Sequence, residues 1–251
     1  MTRSLTTALL RTYAVAFPPF RHLAILVKAW AGQRGLNTAH SGTLSSYAHV
    51  LSVLHYCQAA CDPPICPDLQ AAALTSVRPI QMCDGVDVRF CDDVALARHF
   101  LANQRDKQSP GGLRTEEPPP PPPLTSLLRG FFGYLRATAA GPHTLTVRGR
   151  DAGAFLLDKR QCWPLEGKRQ NSLLDGRISI EDPFEVHDSP EPTRRHDVAA
   201  TVSEPGMQRL LTEWQRGSNL LQAAEALEAG GDTDGARAKM LELFAPVAQA
   251  E

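Results

Sequence analysis

The chain has 251 residues, of which 43% are hydrophobic and 21% are charged, and its formal net charge is −1. These values are ordinary for a folded protein with one large domain or two small ones. No apolar run approaches the roughly 20 residues that a membrane-spanning helix needs, so we expect no membrane partner. The charge is unevenly distributed, because residues 1–61 contain no Asp or Glu but four Arg and one Lys. Such a basic region either attracts a polyanion or simply solvates helices.

The N-terminal part of the chain is predicted to be helical. Apolar residues recur at helical spacing in two segments, 5–16 and 19–34, which a pair of prolines separates. A third, strongly apolar segment at 48–60 predicts another helix. Ser41 or Thr43 precedes this segment and is expected to cap it, because Ser and Thr side chains accept hydrogen bonds from the first N–H groups of a helix.

The cysteines are irregularly spaced. Cys57, Cys61 and Cys66 form a cluster, but no two of them are separated by only two residues. A structural zinc site needs four ligands and usually includes such a close pair. The spacing therefore favours reduced thiols in an intracellular protein over a zinc site, and we expect the protein in the cytoplasm.

The middle of the chain contains a change in composition. Residues 86–90 alternate apolar and polar, which predicts a short strand, and a helix is predicted over 93–103. Residues 104–123 are charged, then rich in glycine, and end in a run of prolines, which is typical of an extended linker. A partner that binds polyproline is the alternative interpretation of this run.

Helices and short strands follow the linker. We predict a helix over 124–136, strands near 144–148 and 177–181, and further helix over 206–244. The whole pattern predicts an α+β fold that is mainly helical. The predicted organisation is a first helical region, the Pro-rich linker, a second region and a C-terminal helical tail, at residues 1–103, 104–123, 124–215 and 216–251.

One stretch has side chains suited to a phosphorylated nucleotide. Lys28 interrupts the apolar face of its helix, so its ammonium group either reaches solvent or meets an anion. Ser46 lies near a predicted helix N-terminus, where N–H groups, the helix dipole and hydroxyls attract phosphate. Tyr47 follows and offers a ring on which a base can stack. Together these side chains suit a nucleoside triphosphate, whereas each alone is more often a cap or a core residue.

Several segments resemble one enzyme family. The stretch 23–48 closely resembles the central domain of terminal uridylyltransferases and atypical poly(A) polymerases, which are DNA polymerase β-like nucleotidyltransferases. Residues 127–134 resemble the helix before the PAP-associated segment of this family, and residues 146–150 resemble its following strand. Residues 178–185 (Ile-Ser-Ile-Glu-Asp-Pro-Phe-Glu) match its nucleotide-recognition motif almost letter for letter. Residues 7–13 also match a family helix, which argues against a mitochondrial transit peptide.

The resemblance implies where the phosphates and the sugar of a bound nucleotide would lie. Lys28 would contact the triphosphate, and Ser46 would bind phosphate oxygens. Tyr47 would stack on the base, and Thr7 lies in the helix that approaches the sugar. The implied ligand is UTP or ATP, and the implied polymer partner is the 3′ end of an RNA.

The resemblance also assigns residues to the base side of the pocket. Asp182 and Glu185 would line this side and help to choose the nucleotide, although an Asp-Pro turn at a strand end has its own need for Asp. A histidine linked with uracil preference follows in the family. An insertion separates His196, which has the better downstream match, from Glu185, while His187 stands closer in sequence. The resemblance does not decide between the two histidines.

Two positions depart from the family pattern near the expected phosphates and ribose. The family has a second lysine one helical turn after the first, where this chain has Gly32. An asparagine that contacts the ribose or base is replaced by Thr6. Both departures favour a module that binds nucleotide without catalysing transfer.

The chemistry of the family requires aspartates that this chain does not provide. A Gly-Ser pair, an Asp-x-Asp motif and a third aspartate hold two Mg²⁺ or Mn²⁺ ions in the full-length family enzymes. All should precede Lys28, but residues 1–27 contain no aspartate. Asp232-Thr-Asp234 is a superficial match that we assign to a helix–turn–helix segment. We therefore expect no metal-binding protein residues, and no activity from this chain alone.

Three interpretations remain open: two functions, and a degenerate product without function. The chain is either the nucleotide-binding part of an enzyme that adds UMP or AMP to RNA 3′ ends without a template, or a non-catalytic scaffold that binds nucleotide or RNA. The third alternative is a degenerate product that folds poorly, because the central domain normally packs on the catalytic one. The helices at 19–34 and 46–60 would lose that cover, so we expect an exposed apolar patch and self-association.

Overall fold

The computed structural model describes residues 2–75, 79–83, 85–108, 120–150, 154–162, 176–186 and 195–247. Its helices are α1 (Thr2–Ala16), α2 (Pro18–Gln33), α3 (Ser46–Ala59), α4 (Leu69–Thr75), α5 (Val94–Gln108), α6 (Leu124–Thr138), α7 (Lys159–Cys162), α8 (Glu204–Ala229) and α9 (Thr233–Leu243). Its strands are β1 (Met82–Cys83), β2 (Val86–Asp87), β3 (His143–Arg150), β4 (Ala154–Asp158), β5 (Glu181–Val186) and β6 (Arg195–Asp197). Within these residues the strands pair antiparallel, β1 with β2, β3 with β4 and β5 with β6. The fold is α+β and mainly helical, which confirms the predicted fold class.

Each predicted helix is present, with shifts of a few residues at its ends. The long helical segment predicted over 206–244 consists of α8 and α9, which a turn at Gly230 and Gly231 separates. Asp232 is the N-cap of α9, and its side chain accepts a hydrogen bond from the Gly235 N–H at 2.9 Å. The Asp232-Thr-Asp234 sequence therefore begins a helix, as the helix–turn–helix interpretation requires.

The strand predicted at 177–181 is displaced toward the C-terminus. Strand β5 begins at Glu181, and only a single bridge, between Ile180 and Leu145, precedes it. The Ile180 N–H donates instead to the carboxylate of Asp197 at 3.0 Å. The Asp197 side chain thus binds the Ile180 N–H in place of a neighbouring strand. The regular strand pairing starts one residue later, at Glu181.

The N-cap predicted for α3 is wrong as well. The cap is Ser45, whose hydroxyl accepts a hydrogen bond from the Ala48 N–H at 3.1 Å. Ser41 ends a short 3₁₀ turn, and the buried Thr43 hydroxyl donates to the Thr38 carbonyl at 3.0 Å. Three hydroxyls precede this helix, and their spacing alone does not tell which one reaches the first turn of N–H groups.

Both sides of the Pro-rich segment contribute to one hydrophobic core. Trp30 of α2 is fully buried, and its ring centroid lies 4.7 Å from that of Phe132 in α6 and 6.1 Å from that of His49 in α3. Phe132 in turn packs under Gly217 of α8, where a Cβ atom would lie 2.7 Å from the ring. The boundaries predicted at 103/104 and 215/216 fall inside helices α5 and α8.

A charged clamp fixes the end of α2 against α8. The Arg34 guanidinium donates to both carboxylate oxygens of Glu213, at 2.9 and 2.7 Å, and to the Ala245 carbonyl at 2.6 Å. The two charged side chains are only 11% and 14% exposed. A two-pronged arginine–carboxylate pair sets orientation as well as distance, so this clamp positions the C-terminal helices relative to α2.

Large apolar side chains are exposed on the first two helices. Val15 of α1 and Ile25 of α2 are each 55% exposed. Self-association through such residues stays a prediction, because single exposed apolar residues are common on folded proteins. Among the described helices, none is both long enough and apolar enough to span a bilayer.

The contact between Gly217 and Phe132 predicts opposite effects for two glycine substitutions. Gly217→Ala places a methyl group against a buried ring and should lower the free energy of unfolding by about 1–3 kcal/mol. Gly133→Ala is the matched control, because no atom lies within 4 Å of its Cβ position on exposed α6 surface. It should raise stability by about 0.5–1 kcal/mol through helix propensity. Urea unfolding followed by circular dichroism measures both, and equal midpoints for the two variants would contradict this packing.

Candidate functional site

A hydrogen bond joins two of the motifs that the sequence singles out. The Tyr47 hydroxyl in α3 donates to the Asp182 carboxylate oxygen Oδ2 in β5 at 2.9 Å, across 135 residues of sequence. The other oxygen, Oδ1, accepts from the Phe184 N–H at 2.8 Å. Asp182 is buried, whereas Tyr47 is half-buried. The first turn of α3 and the start of β5 therefore form one local surface.

The start of α3 is built by a turn that α8 holds in place. Gly42 ends the 3₁₀ turn in the left-handed conformation, with φ of 72°, and its carbonyl accepts a hydrogen bond from the Ser203 N–H at 2.9 Å. A side chain at Gly42 would collide with Ser203, so the turn and the N-terminus of α8 fit only with glycine there. Ser45 then caps α3, and the half-buried Ser46 is its first helical residue. The N–H groups of this first turn form a site with a partial positive charge.

The two predicted site residues on α1 and α2 are exposed. Lys28 lies on α2 next to the buried Val27, and its exposed side chain is accessible both to solvent and to an anion. Thr7 is exposed on α1, while the adjacent Thr6 is buried. Among the described residues, no direct hydrogen bond or ion pair joins Lys28 to Tyr47 or Asp182. The structure thus links Tyr47 to Asp182 and leaves Lys28 as a separate exposed cation.

A buried tyrosine fixes α1, which carries Thr7. The Tyr13 hydroxyl donates to the Pro67 carbonyl and accepts from the Leu69 N–H and the Gln58 side-chain amide, each at 3.0 Å. Burial raises the pKa of Tyr13 well above its ordinary value, so the hydroxyl keeps its proton. These bonds tie α1 to α3 and to the start of α4.

Strand β5 is held from both of its faces. Glu181 is buried, and its carboxylate accepts a hydrogen bond from the Thr146 hydroxyl of β3 at 2.5 Å. Phe184 is fully buried, and its ring centroid lies 6.1 Å from that of Phe90. Asp182 and Pro183 lie between the two paired residues of β5, where the register is irregular. The bond from the Phe184 N–H to Asp182 has the two-residue spacing of an Asx turn, so Asp182 also has a local structural role.

The remaining predicted residues on the base side fall on the paired strands β5 and β6. Glu185 belongs to β5, and His196 is a half-buried residue of β6. Glu181 pairs with Asp197, so the neighbours Asp182 and His196 each adjoin this pair. His187 lies outside the described residues.

Two buried charged residues near this hairpin were not predicted. Asp197 accepts hydrogen bonds from the Ile180 and Ala199 N–H groups at 3.0 and 2.9 Å and from the Ser179 hydroxyl at 2.9 Å. Burial raises the pKa of this carboxyl group. Lys159 donates to the Gly141 and Arg177 carbonyls; burial lowers its pKa, and the charge of Asp197 acts in the opposite direction. No local sequence signal distinguishes these side chains from exposed ones.

A buried histidine connects α3 to β3 and α6. His55 Nδ1 lies 2.7 Å from the Thr146 carbonyl oxygen, and Nε2 lies 2.6 Å from the Tyr134 hydroxyl. A carbonyl oxygen only accepts, so we assign the proton to Nδ1 and the accepting role to Nε2. Burial lowers the pKa of His55 to about 4, which keeps the ring neutral near pH 7.

The described residues offer no set of metal ligands. Within them, no group of three or more His, Cys, Asp or Glu side chains is placed to hold a metal ion. Cys57, Cys61 and Cys66 carry free thiols, and burial contributes to raising the pKa of Cys57. The residues described here therefore do not fit a two-metal centre, which needs several carboxylates around each ion.

Comparison with known sequences gives relatives of one kind. No protein-family model matches the chain. The terminal uridylyltransferase cid1 of Schizosaccharomyces pombe is 30% identical over 225 residues, which are 86% of this chain and 47% of the relative. The poly(A) RNA polymerase cid13 of the same organism is 31% identical over 87% of this chain and 32% of the relative. The poly(A) RNA polymerase GLD2-A of Xenopus laevis is 52% identical over 64 residues, 26% of this chain and 12% of the relative. The chain spans less than half the length of each of these relatives.

Solved structures agree with the sequence relatives. The Cid1 poly(U) polymerase bound to magnesium and 3′-dATP matches with a TM-score of 0.62 and 29% identity, over 87% of this chain and 56% of that structure. A cytoplasmic RNA terminal U-transferase matches with a TM-score of 0.62 and 29% identity, over 87% and 58%. Cid1 with the UTP analogue UMPNPP matches with a TM-score of 0.59 and 30% identity, over 86% and 56%. The chain therefore belongs to the nucleotidyltransferase family of terminal uridylyltransferases and poly(A) RNA polymerases.

Proposed function

We propose that the chain is the nucleotide-binding part of an RNA 3′-terminal nucleotidyltransferase, which adds UMP or AMP to RNA 3′ ends without a template. The observation that carries the proposal is the 2.9 Å hydrogen bond from Tyr47 to Asp182. It brings the first turn of α3 against the Asp-Pro-Phe-Glu segment of β5, although these motifs stand far apart in sequence. The names of the relatives, a uridylyltransferase and poly(A) RNA polymerases, support the reaction class.

The phosphates would bind between α2 and the N-terminus of α3. In this proposal Lys28 contacts the triphosphate and Ser46 binds phosphate oxygens, with the N–H groups of the first turn of α3 as further donors. Lys28 is exposed and Ser46 is half-buried, so both are accessible to a ligand. Thr7, exposed on α1, would face the sugar.

The base would stack on the ring of Tyr47, which is half-buried and bonded at its hydroxyl edge. Asp182, Glu185 and His196 belong to the β5–β6 hairpin and would form the base side of the pocket. The identity of the base, uracil or adenine, would depend on this hairpin. The phosphate contacts would serve both nucleotides equally.

The transfer step would need groups beyond these 251 residues. Residues 1–27 hold no aspartate, and the described residues hold no metal-ligand set. We propose that aspartates of a full-length enzyme would hold Mg²⁺ or Mn²⁺, which would supply the Lewis-acid chemistry of phosphoryl transfer. This chain would bind and orient the nucleotide and would be inactive by itself.

A non-catalytic nucleotide- or RNA-binding scaffold is the second candidate. Gly32 leaves an exposed turn of α2 without a second cation, and Thr6 is buried where the family has an asparagine that contacts the nucleotide. Upstream coding sequence separates the two candidates. An in-frame Gly-Ser and Asp-x-Asp, together with activity of the longer protein, would support the enzyme, whereas binding without transfer would support the scaffold.

Nucleotide binding by the chain is the first test. Calorimetry with UTP or ATP and Mg²⁺ should give saturable binding. Lys28→Ala should weaken triphosphate binding roughly tenfold and leave nucleoside binding nearly unchanged, because it removes one phosphate contact. Arg209→Ala is a control cation on α8, whose side chain donates to the Gly35 carbonyl. No heat of binding at millimolar nucleotide would contradict the proposal.

A gain of affinity is expected from Gly32→Lys. The Cβ position of Gly32 meets only the Asn37 side chain, at an ordinary 3.6 Å, so a lysine fits without strain. It would stand one turn after Lys28 on the same face and should tighten triphosphate binding about fivefold. Gly32→Gln controls for the gain in helix propensity, and Gln33→Lys places the same charge on another face. Equal affinities for all three variants would contradict the phosphate position.

Adjacent serines at the start of α3 should respond differently. Ser45→Ala removes the cap and should lower the free energy of unfolding by about 1 kcal/mol. Ser46→Ala should leave stability within about 0.5 kcal/mol and weaken triphosphate binding several-fold. Thermal unfolding and calorimetry measure the two effects. The assignment fails if Ser46→Ala destabilises the protein as strongly as Ser45→Ala.

A further inference from the structure

We infer that Asp182 acts on the nucleotide through Tyr47, as a positioning residue that fixes the orientation of the stacking ring. This inference rests on the proposed function, which places the base on that ring. It differs from the role that resemblance alone implies, in which Asp182 itself contacts the base. The difference matters for selectivity, because a positioned ring favours every base alike, whereas a carboxylate that contacts the base would discriminate.

Both oxygens of the Asp182 carboxylate are already engaged within the protein. Oδ2 accepts from the Tyr47 hydroxyl at 2.9 Å, and Oδ1 accepts from the Phe184 N–H at 2.8 Å. The residue is only 3% exposed. A base that bonded to this carboxylate would have to reach a buried group and compete with the Tyr47 hydroxyl, so direct contact is the costlier arrangement.

The Asp182 side of this contact is rigid. The bond to the Phe184 N–H fixes the side-chain torsions of Asp182 relative to its own strand, and Pro183 between them restricts the backbone. Phe184 is fully buried beside Phe90, and the preceding Glu181 is bonded to Thr146. The carboxylate is therefore presented to Tyr47 from a fixed point.

The Tyr47 side has fewer restraints from packing. Tyr47 is half-buried in the first turn of α3, and its backbone is set by the Ser45 cap. The bond at its hydroxyl restrains the outer edge of the ring, and without this bond a ligand would have to supply that part of the order. Ordering one such side chain on binding costs about threefold to tenfold in affinity. The bond to Asp182 supplies this order before the nucleotide arrives.

The orientation of the ring can be measured without any nucleotide. The chain has four tyrosines, so ring-¹³C-tyrosine labelling gives few signals, and Tyr47→Phe identifies the Tyr47 signal. Asp182→Ala should shift and broaden the Tyr47 ring signal, while those of Tyr13, Tyr56 and Tyr134 stay in place and report that the fold is intact. An unchanged Tyr47 signal overturns the inference.

A double-mutant cycle tests the effect of the bond between Tyr47 and Asp182 on nucleotide affinity. Asp182→Ala and Tyr47→Phe should each weaken UTP or ATP binding about threefold to tenfold, and the double variant should be no weaker than the single ones. Multiplying effects would mean that Asp182 contacts the base by itself, and this would overturn the inference. If Asp182→Ala does not fold, Tyr47→Phe alone decides, because it keeps the ring and loses only the bond. Unweakened binding by Tyr47→Phe overturns the inference, whereas no binding by the wild-type chain contradicts the proposed function.

Discussion

Thr146 joins the helix that carries Tyr47 to the strand that carries Asp182. Its carbonyl accepts the His55 Nδ1 proton from α3 at 2.7 Å, and its hydroxyl donates to Glu181 of β5 at 2.5 Å. Because α3 is a rigid helix, the bond from His55 in its second half to β3 also restrains the position of its first turn. The 2.9 Å bond between Tyr47 and Asp182 is thus made between elements that Thr146 has already aligned.

The alignment depends on buried polar groups that are fully paired. His55 is neutral because burial lowers its pKa to about 4, and its two ring nitrogens meet a carbonyl and the Tyr134 hydroxyl. Asp197 accepts three hydrogen bonds beside the buried ammonium of Lys159. Paired groups of this kind are costly to rearrange, since each broken bond leaves an unsatisfied group in a medium of low dielectric. The bonds of Asp197 restrain β6 against the residues that precede β5.

The sequence predicts most of the helices and far less of this polar framework. Helical periodicity is local, so α2 and α6 could be placed from their own residues. The bond from Ile180 to the Asp197 side chain joins residues that are distant in sequence, and β5 begins only at the last residue of the predicted strand. The residues around the candidate site came from resemblance to a family, and its departure at Gly32 is visible in the sequence alone. The hydrogen-bond partners of Thr146 and Lys159 could be identified only from the structure, because no spacing in the sequence indicates a contact between distant segments.

Gly32 stands where the family has a second lysine, so we expect more of the phosphate contacts to come from α3. Gly32 is exposed near the C-terminal end of α2, where the helix dipole is negative and disfavours an anion. Arg34 does not replace the missing lysine, because Glu213 and the Ala245 carbonyl engage its guanidinium and it is only 11% exposed. In the proposed phosphate position, the exposed Lys28 would be the cation that α2 supplies, and the N-terminus of α3 with Ser46 would supply the remaining attraction. N–H groups and a hydroxyl bind a triphosphate through short-range, directional hydrogen bonds. The affinity of such a site should therefore depend less on salt concentration than the affinity of a site with two lysines.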